Sequence, residues 1–345
     1  MALDGTKSTA ERTAGALDAL AGEHAALCRG AGFHSTLALA RRRVRGEDRF
    51  RWLSGMVTNT VNELGAGQGA LSLVLNAQGR IQGDLMVWRG GAGSADALEL
   101  ELDAAQAEKL IAHFEKFIIM DDVELVAVDG VAAVGVYGPQ SAQVLASVGI
   151  EAPGQQLSQK SMDWQGSELL VRRQFSTVVP RFTLWCAAGQ RDELTAALQG
   201  AGVVEVGDAA LETLRVVEGI PRYGVDVVEK DLPQESSLTR ALHFSKGCYL
   251  GQEIVERIRS RGNVHRHLRQ LEFMGELPRP GAELQLDAAP AGTVTSAASL
   301  GGRIFGLAML KAEAETSGAE LGYAGGNARV MPQPPSLEEV QRETV

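Results

Sequence analysis

The chain is poor in the residue types that several protein classes require. Only 5% of its 345 residues are aromatic, and its three cysteines show no CxxC spacing. No apolar run approaches the roughly 18–20 residues of a membrane-spanning helix. We therefore expect no disulfide framework, no self-contained zinc or iron–sulfur site, no stably bound metal and no membrane partner. The first twelve residues lack the apolar core of a secretory signal, so we expect a cytoplasmic protein.

Short motifs that mark common nucleotide and hydrolase sites are also missing. No GxGxxG precedes a helix, and the P-loop, HExxH and GxSxG patterns are absent. With 33 Lys+Arg against 43 Asp+Glu, the net charge of -10 argues against a surface that binds nucleic acid throughout. What remains is an ordinary globular composition, 45% hydrophobic and 22% charged, long enough for two or three domains.

Helical and strand patterns follow one another without regular alternation, which favours an α+β fold. Gly and Pro punctuation late in the chain is typical of a small barrel or sandwich. The expected elements are an N-terminal helix ending near Gly30, a hairpin turning at 76–79, a helix capped by Asp103, one from Pro139, one over 209–218 after Asp208, short strands after Arg269, and a disordered tail from Pro332.

The densest chemical signal is a cysteine flanked by glycines just before a predicted helix, in the run Lys246-Gly247-Cys248-Tyr249-Leu250-Gly251-Gln252-Glu253. The helix dipole and the nearby lysine both favour a thiolate, so Cys248 is a candidate nucleophile or metal ligand. The alternative is a small buried thiol in a tight turn. Cys28 and Cys186 stand among apolar residues and are expected to pack in the core.

Two carboxylates break local expectations. Asp84 falls among apolar residues in the second hairpin strand, where it needs a partner from the protein or from a ligand. Glu218 ends a predicted helix, where the dipole opposes a negative charge, so it is either functional or paired with Arg215 or Arg222. Glu253, in the first turn of the next helix, is explained by helix capping alone.

Positive charge is concentrated in two arginine-rich runs, at 41–45 and 257–269, and the second contains no acidic residue. Either run could hold a phosphate, a polyanionic tail or RNA. The alternative is a solvated face whose arginines pair with acidic neighbours.

The run 246–253 resembles the KGCYxGQE signature of the YgfZ family of folate-binding iron–sulfur assembly proteins, which are relatives of the glycine cleavage T protein. The stretch 214–226, with Glu218 and Pro221-Arg222, and the later Pro233-Gln234-Glu235 resemble further motifs of the family. Thr58-Asn59 resembles its N-terminal element. The ordered motifs cover roughly residues 35 to 335.

The resemblance implies a three-domain aminomethyltransferase-like (T-protein-like) α+β fold, with a ring-like arrangement around a central cavity that holds tetrahydrofolate. The implied parts are an N-terminal helical extension (1–34), a folate-binding core (35–125 and 205–262), a ferredoxin-like α+β domain (126–204), a C-terminal β-barrel (263–335) and a tail (336–345).

Site roles follow from the same resemblance. Cys248 and Asp84 are implied as catalytic, with Cys248 a transient iron–sulfur ligand. The cofactor-binding set is Asp84, Glu218, Arg222, Tyr249, Gln252 and Glu253. The motif set is Lys246, Gly247, Cys248, Tyr249, Gly251, Gln252 and Glu253.

The implied function is tetrahydrofolate binding in support of the assembly, repair or maintenance of 4Fe-4S enzymes, including a radical tRNA methylthiotransferase and hence tRNA modification. The alternative is a folate-dependent aminomethyltransferase or demethylase that passes a one-carbon unit to tetrahydrofolate. Asp84 matches a T-protein acid that some YgfZ proteins lack, and the LETLR stretch has no Trp, which keeps that alternative open. An RNA adaptor ranks last, because aromatic platforms for base stacking are scarce.

Overall fold

The computed structural model describes residues 9–91, 93–262, 264–315 and 318–343, with side chains from residue 18 onward except at 261 and 343. In chain order, the α-helices of this part are α1 (Thr9–Arg29), α2 (Arg49–Met56), α3 (Ala104–Glu115), α4 (Ser141–Ser147), α5 (Arg191–Gly200), α6 (Asp208–Val217), α7 (Gln252–Arg261) and α8 (Leu337–Glu343). Short 3-10 helices span Ala188–Gln190, Pro233–Ser236, Thr239–Ala241 and Ala312–Ala314.

The strands are β1 (Gly32–His34), β2 (Leu39–Arg45), β3 (Gly69–Leu75), β4 (Ile81–Arg89), β5 (Leu98–Asp103), β6 (Glu124–Ala127), β7 (Val131–Tyr137), β8 (Ser158–Trp164), β9 (Ser167–Arg173), β10 (Arg181–Ala187), β11 (Val204–Glu205), β12 (Arg266–Gly275), β13 (Glu283–Leu286), β14 (Ala289–Leu300), β15 (Arg303–Lys311), β16 (Glu320–Tyr323) and β17 (Gly326–Val330).

These strands form two open sheets and a closed barrel. Sheet 1 has the order β3-β4-β5-β2-β6, sheet 2 has the order β11-β1-β7-β10-β9-β8, and the barrel runs β12-β15-β14-β13-β16-β17. Helices and strands mix without a βαβ repeat, so the α+β prediction is confirmed, as is the barrel after Arg269. None of the described helices is long and apolar enough to cross a membrane.

Local sequence signals located several elements correctly. The hairpin turn forms because the Asn76 carboxamide oxygen accepts hydrogen bonds from the Gln78 and Arg80 amides, at 3.0 and 2.9 Å. The Asp103 carboxylate caps α3 by accepting from the Ala105 amide at 2.8 Å. Two helix starts differ from the prediction: α4 begins two residues after Pro139, and α6 includes Asp208, with Gly207 as its N-cap.

The C-terminal segment is ordered where the Pro-rich composition predicted disorder from Pro332. Helix α8 buries Val340, which is 1% exposed and packs in a cluster that includes Cys28. The Arg29 guanidinium also donates to the Gln341 carbonyl at 2.6 Å. The prediction of a disordered tail was therefore wrong, because apolar contact with α1 outweighs the local composition.

A buried network of charges joins sheet 1 to sheet 2. Arg172, on β9 of sheet 2, has a fully buried side chain and reaches two carboxylates on β5 of sheet 1. Its two terminal nitrogens lie 2.6 Å from Glu99 and 2.8 Å from Glu101. Arg41 on β2 also pairs with Glu99, at 2.7 Å, and the Trp185 indole N–H of β10 donates to Glu101 at 2.7 Å. We call these five side chains the interface network.

Attraction between the opposite charges of the interface network offsets the free-energy cost of burying them. Burial by itself raises the pKa of Glu99, but the positive charges of Arg172 and Arg41 outweigh it and lower that pKa. Arg172 also stacks on the Trp88 ring, with its guanidinium carbon 4.9 Å from the ring centroid. Arg41 and Arg43 of the first basic run both contact Glu99, so these two arginines are paired with an acidic neighbour, as the alternative interpretation of the run expected.

Loss of Arg172 is expected to destabilise the protein strongly. Arg172→Met leaves two buried carboxylates short of a partner, and breaking a buried ion pair in this way costs about 3–5 kcal/mol. The matched control is Arg43→Met, which removes a half-exposed arginine from the same Glu99 and should cost less than about 1 kcal/mol. Urea unfolding of both variants measures the difference, and equal losses would contradict this account of the interface.

Candidate functional site

A cavity of about 450 Å³ lies where sheet 1, sheet 2 and the segment after α6 meet. Its wall is formed by β4, β5 and α3 on one side and by β7 and β10 on the other, and residues 220–223 and Arg240 complete it. The polar and aromatic lining side chains are Asp84, Glu101, Asp103, Gln106, Tyr137, Gln174, Phe175, Arg181, Phe182, Thr183, Asp208, Arg215, Arg222, Tyr223 and Arg240.

Asp84 lies on the cavity wall. The sequence predicted that this carboxylate needs a partner from the protein or from a ligand. Strand pairing sets it opposite Leu73 of β3. The Gln106 amide nitrogen donates to Asp84 Oδ1 at 3.0 Å, and the Gln106 oxygen accepts from the Asp84 backbone amide at 3.2 Å. Among the described residues, no residue other than Gln106 donates a hydrogen bond to the Asp84 carboxylate. Burial raises the pKa of Asp84, against the hydrogen bond from Gln106, which lowers it.

Glu218 is buried. The local sequence suggested Arg215 or Arg222 as its partner, but neither contacts it. The carboxylate forms an ion pair with Arg181 of β10 and accepts hydrogen bonds from the Val178 and Val179 amides, at 3.4 and 3.2 Å. Arg215 instead pairs with Glu212 and Asp226. Arg181 lines the cavity and Glu218 does not, so Glu218 contacts the cavity wall through Arg181.

The predicted motif around Cys248 forms a loop that packs against the hairpin turn and is held by several hydrogen bonds. The Lys246 ammonium donates to the carbonyls of Ser54, Val57 and Asn59 at 2.6, 2.6 and 2.8 Å. Burial lowers its pKa to about 8, an effect that these three acceptors oppose because they bind the protonated form. All three ammonium hydrogens are thus directed to backbone carbonyls, so the Lys246 side chain holds the loop in place.

Other motif residues fix the loop in the same way. Tyr249 is buried, which raises its pKa to about 12, and its amide donates to the Gln252 carboxamide oxygen at 3.2 Å. Gly251 has φ +82°, and a Cβ there would lie 2.6 Å from the Asn76 carbonyl, so only glycine allows α7 to start against the hairpin turn. Glu253 is exposed in the first turn of α7. Tyr249, Gln252 and Glu253 do not line the cavity.

Of the three cysteines, Cys248 alone is exposed. Cys28 and Cys186 are buried, and burial raises the pKa of each thiol, that of Cys28 to about 11. The prediction that these two pack in the core is confirmed. The alternative of a buried thiol at Cys248 is wrong, because the loop is held through Lys246 and Tyr249 and turns Cys248 to solvent.

The second basic run is largely engaged with acidic neighbours. Arg266 pairs with Asp231 and Glu235 at 2.7 and 2.8 Å, and Arg269 pairs with Glu315 at 2.8 Å. These partners lie 31 to 46 residues away in sequence, which is why the run looked unpaired. This pairing removes the main support for an RNA adaptor and for arginines that meet an anionic tail here.

Sequence reasoning missed four of the side chains that shape the cavity: Gln106, Phe175, Arg181 and Arg240. None belongs to a local pattern that indicates a site. Arg240 is in contact with a motif seen in the sequence, because the Thr58-Asn59 side chains hold the 240–241 backbone: Asn59 donates to the Arg240 carbonyl at 2.8 Å and Thr58 donates to the Ala241 carbonyl at 2.6 Å. Among the described side chains, no group of three His, Cys, Asp or Glu residues is arranged to hold a metal ion.

The sequence is similar to a known family of proteins and to several of its members. The family profile of the GCVT N-terminal domain matches residues 9–246. An aminomethyltransferase of Halalkalibacterium halodurans is 29% identical over 310 residues, which cover 87% of this chain and 84% of the relative. The tRNA-modifying protein YgfZ of Cronobacter sakazakii is 27% identical over 313 residues, which cover 86% of this chain and 90% of the relative.

The fold itself matches a solved structure. The glycine cleavage system aminomethyltransferase T from Bartonella henselae superposes with a TM-score of 0.82 at 21% identity, over 91% of this chain and 89% of that one. The prediction of an aminomethyltransferase-like fold is therefore confirmed.

Only one thiol is expected to react in the folded protein. At pH 8, a disulfide reagent such as DTNB should modify Cys248 quickly, because the other two thiols are buried and their pKa values are raised. All three should react in urea. Cys248→Ala should abolish the fast phase, whereas a fast phase that persists in this variant would show that a different cysteine is accessible.

Removal of the Asp84 charge is expected to stabilise the unliganded protein. Because burial raises the pKa of Asp84, stability falls as pH rises from its ordinary value through the raised folded value. Asp84→Asn should therefore unfold at higher urea concentration than wild type at pH 7, and the difference should close toward pH 4. The exposed Asp163→Asn serves as a charge-matched control, within about 0.5 kcal/mol of wild type. Lower stability of Asp84→Asn at pH 7 would contradict the prediction.

Proposed function

We propose that this chain, which belongs to the GCVT N-terminal domain family, binds tetrahydrofolate or a derivative in the cavity between its two sheets. The observation that supports this most directly is the lining of the cavity. It combines a carboxylate with one free oxygen (Asp84), an aromatic face (Phe175) and two arginine Nε groups, of Arg181 and Arg240, that have no partner in the described structure. A flat ligand suits these groups if it carries a hydrogen-bond donor for the carboxylate and an acceptor for the arginines.

Bound tetrahydrofolate supplies nitrogens that accept or release a one-carbon unit. Asp84 is proposed to accept a hydrogen bond from the ligand through the oxygen that Gln106 leaves free. Of the other residues implied as cofactor-binding, Arg222 lies at the cavity wall, where it pairs with Glu212 at 3.2 Å. Glu218 would act through Arg181, which it holds in place.

We further propose that the protein supports iron–sulfur enzymes, with the exposed Cys248 as the group that meets the client. Three features support this role. The motif resembles KGCYxGQE, one similar protein is named as a tRNA-modifying YgfZ, and the contacts of Lys246 and Tyr249 fix the loop while the Cys248 thiol stays exposed. A thiolate at this position could ligate or transfer a cluster component. The implied clients are 4Fe-4S enzymes, such as a radical tRNA methylthiotransferase.

A second candidate is one-carbon transfer to tetrahydrofolate, as an aminomethyltransferase or a demethylase. The observation that favours it is Asp84, a carboxylate with a raised pKa in the cavity wall, and several similar proteins are named aminomethyltransferases. In this case Asp84 positions the reacting nitrogen, and Cys248 has no part in the reaction.

Complementation of a deletion strain separates the two candidates. Wild type, Cys248→Ala and Asp84→Asn are compared for the activity of 4Fe-4S enzymes and for thiomethylation of tRNA. The first proposal predicts that Cys248→Ala loses most of the rescue, by about tenfold or more, and that Cys186→Ala, a buried-cysteine control, retains it. Full rescue by Cys248→Ala would contradict the proposed role of the thiol.

The second candidate is tested on the purified protein. Transfer from an aminomethylated carrier or an N-methylated amine to tetrahydrofolate should be lost by about 100-fold or more in Asp84→Asn, the range for a lost acid–base or positioning group. Turnover that is equal in wild type and Asp84→Asn would exclude this role for Asp84.

A further inference from the structure

Arg240 is a cation on the cavity wall without a counter-ion. Every other arginine that lines the cavity has a carboxylate partner: Arg181 has Glu218, Arg215 has Glu212 and Asp226, and Arg222 has Glu212. For Arg240, no ion pair is formed with any side chain that the structure describes, and its buried Nε has no hydrogen-bond acceptor there. A buried donor without an acceptor is costly, so the site lacks a component that a ligand can provide.

The side chain is nevertheless held in a defined position. Its guanidinium carbon lies 4.1 Å from the centroid of the Phe175 ring, which is close stacking of a cation on an aromatic face. The backbone on either side of the Arg240 carbonyl is fixed by Asn59 and Thr58, which bond the carbonyls of residues 240 and 241. The planar group is thus oriented before any ligand arrives.

The electrostatic environment favours an anion next to Arg240. Burial and, to a smaller extent, the nearby charge of Arg181 lower its pKa to about 10, whereas the charge of Asp84 acts in the opposite sense. Two positive groups with unpartnered Nε atoms therefore line the cavity, and Asp84, the carboxylate whose charge acts on Arg240, is already contacted by Gln106.

We propose that Arg240, stacked on Phe175, binds a carboxylate of the ligand that occupies this cavity. This inference rests on the proposed folate site and adds a residue to it that neither the sequence motifs nor the family resemblance indicated. The carboxylate belongs either to the glutamate tail of a folate or to a small amine co-substrate of the amino-acid class. A carboxylate suits the site better than a neutral oxygen, because a charge-assisted, bidentate contact with a guanidinium is about twice as strong as a neutral hydrogen bond.

Four probes in two matched pairs test the proposal by calorimetry on the full-length protein. In the first pair, 5-formyltetrahydrofolate carries the glutamate tail and 6-methyltetrahydropterin has a similar ring without it. In the second pair, N-methylglycine carries a carboxylate and dimethylamine is the same amine without it. Each is titrated into wild type, Arg240→Met, Arg240→Lys and Arg191→Met, the last of which removes a surface arginine outside the cavity.

The proposal predicts a selective loss. Arg240→Met should weaken binding of 5-formyltetrahydrofolate or of N-methylglycine by at least about 30-fold, as for a buried charge pair that loses one member. The partner probe without a carboxylate should change less than about twofold. The affected pair identifies the source of the carboxylate. Arg240→Lys, which keeps the charge but loses the planar fork, should fall between wild type and Arg240→Met, and Arg191→Met should match wild type.

Other results contradict the proposal in distinguishable ways. Equal weakening of both members of a pair would show that Arg240 contacts the ring or the amine instead. Unchanged binding of both carboxylate probes would remove Arg240 from the site while leaving the folate proposal intact. A wild-type protein that binds neither folate probe contradicts the proposed function, and if N-methylglycine also fails to bind, the carboxylate site falls with it. If Arg240→Met does not fold, Arg240→Lys decides by the same comparison.

Discussion

The interface network holds the two sheets in the arrangement on which the cavity depends. One terminal nitrogen of Arg172 donates to Glu99 and the other to Glu101, and both carboxylates project from β5 of sheet 1. Charges so deeply buried are tolerated only when each has partners in good geometry, so the sheets can approach each other in one register. Glu101 lies at the cavity wall itself, and the contact that joins the sheets therefore also sets the shape of the space between them.

The cysteine motif contributes structure first and chemistry second. Lys246 holds the loop to the last turn of α2 and the residues after it, and Gln252 accepts a hydrogen bond from Tyr249 within the loop. Gly251 allows a close approach to the hairpin turn that a Cβ would prevent. What is left free is Cys248. A motif that seemed to supply a set of cofactor ligands instead fixes a loop whose cysteine is exposed, and none of its residues lines the cavity where Asp84 lies.

The features that the sequence predicted well are those set by neighbouring residues. The turn at Asn76, the cap at Asp103 and the barrel strands follow from local hydrogen bonding and from Gly and Pro punctuation. Partners far apart in the chain could not be predicted. Arg181 lies 37 residues before Glu218, and Arg41 lies 58 before Glu99. Both arginine runs looked available for ligands because their acidic partners lie far away in the sequence.

The candidate site shows the same division. Asp84 and Cys248 could be selected from sequence, since each is a polar or reactive group in a setting that needs an explanation. Arg240 and Phe175 could not be selected, because their significance lies in contact across the fold and in the missing counter-ion. The prediction of a disordered tail was wrong for a similar reason: the apolar neighbours of Val340 lie far away in the sequence, on α1 and in the barrel.

The central claim is that the cavity between the two sheets is a reduced-folate site. A crystal structure of the protein with 5-formyltetrahydrofolate tests it most directly. The account predicts a ligand within the cavity, with a nitrogen in hydrogen-bond contact with Asp84 and an oxygen in contact with Arg240. A ligand bound elsewhere, or an empty cavity at saturating ligand concentration, would contradict it.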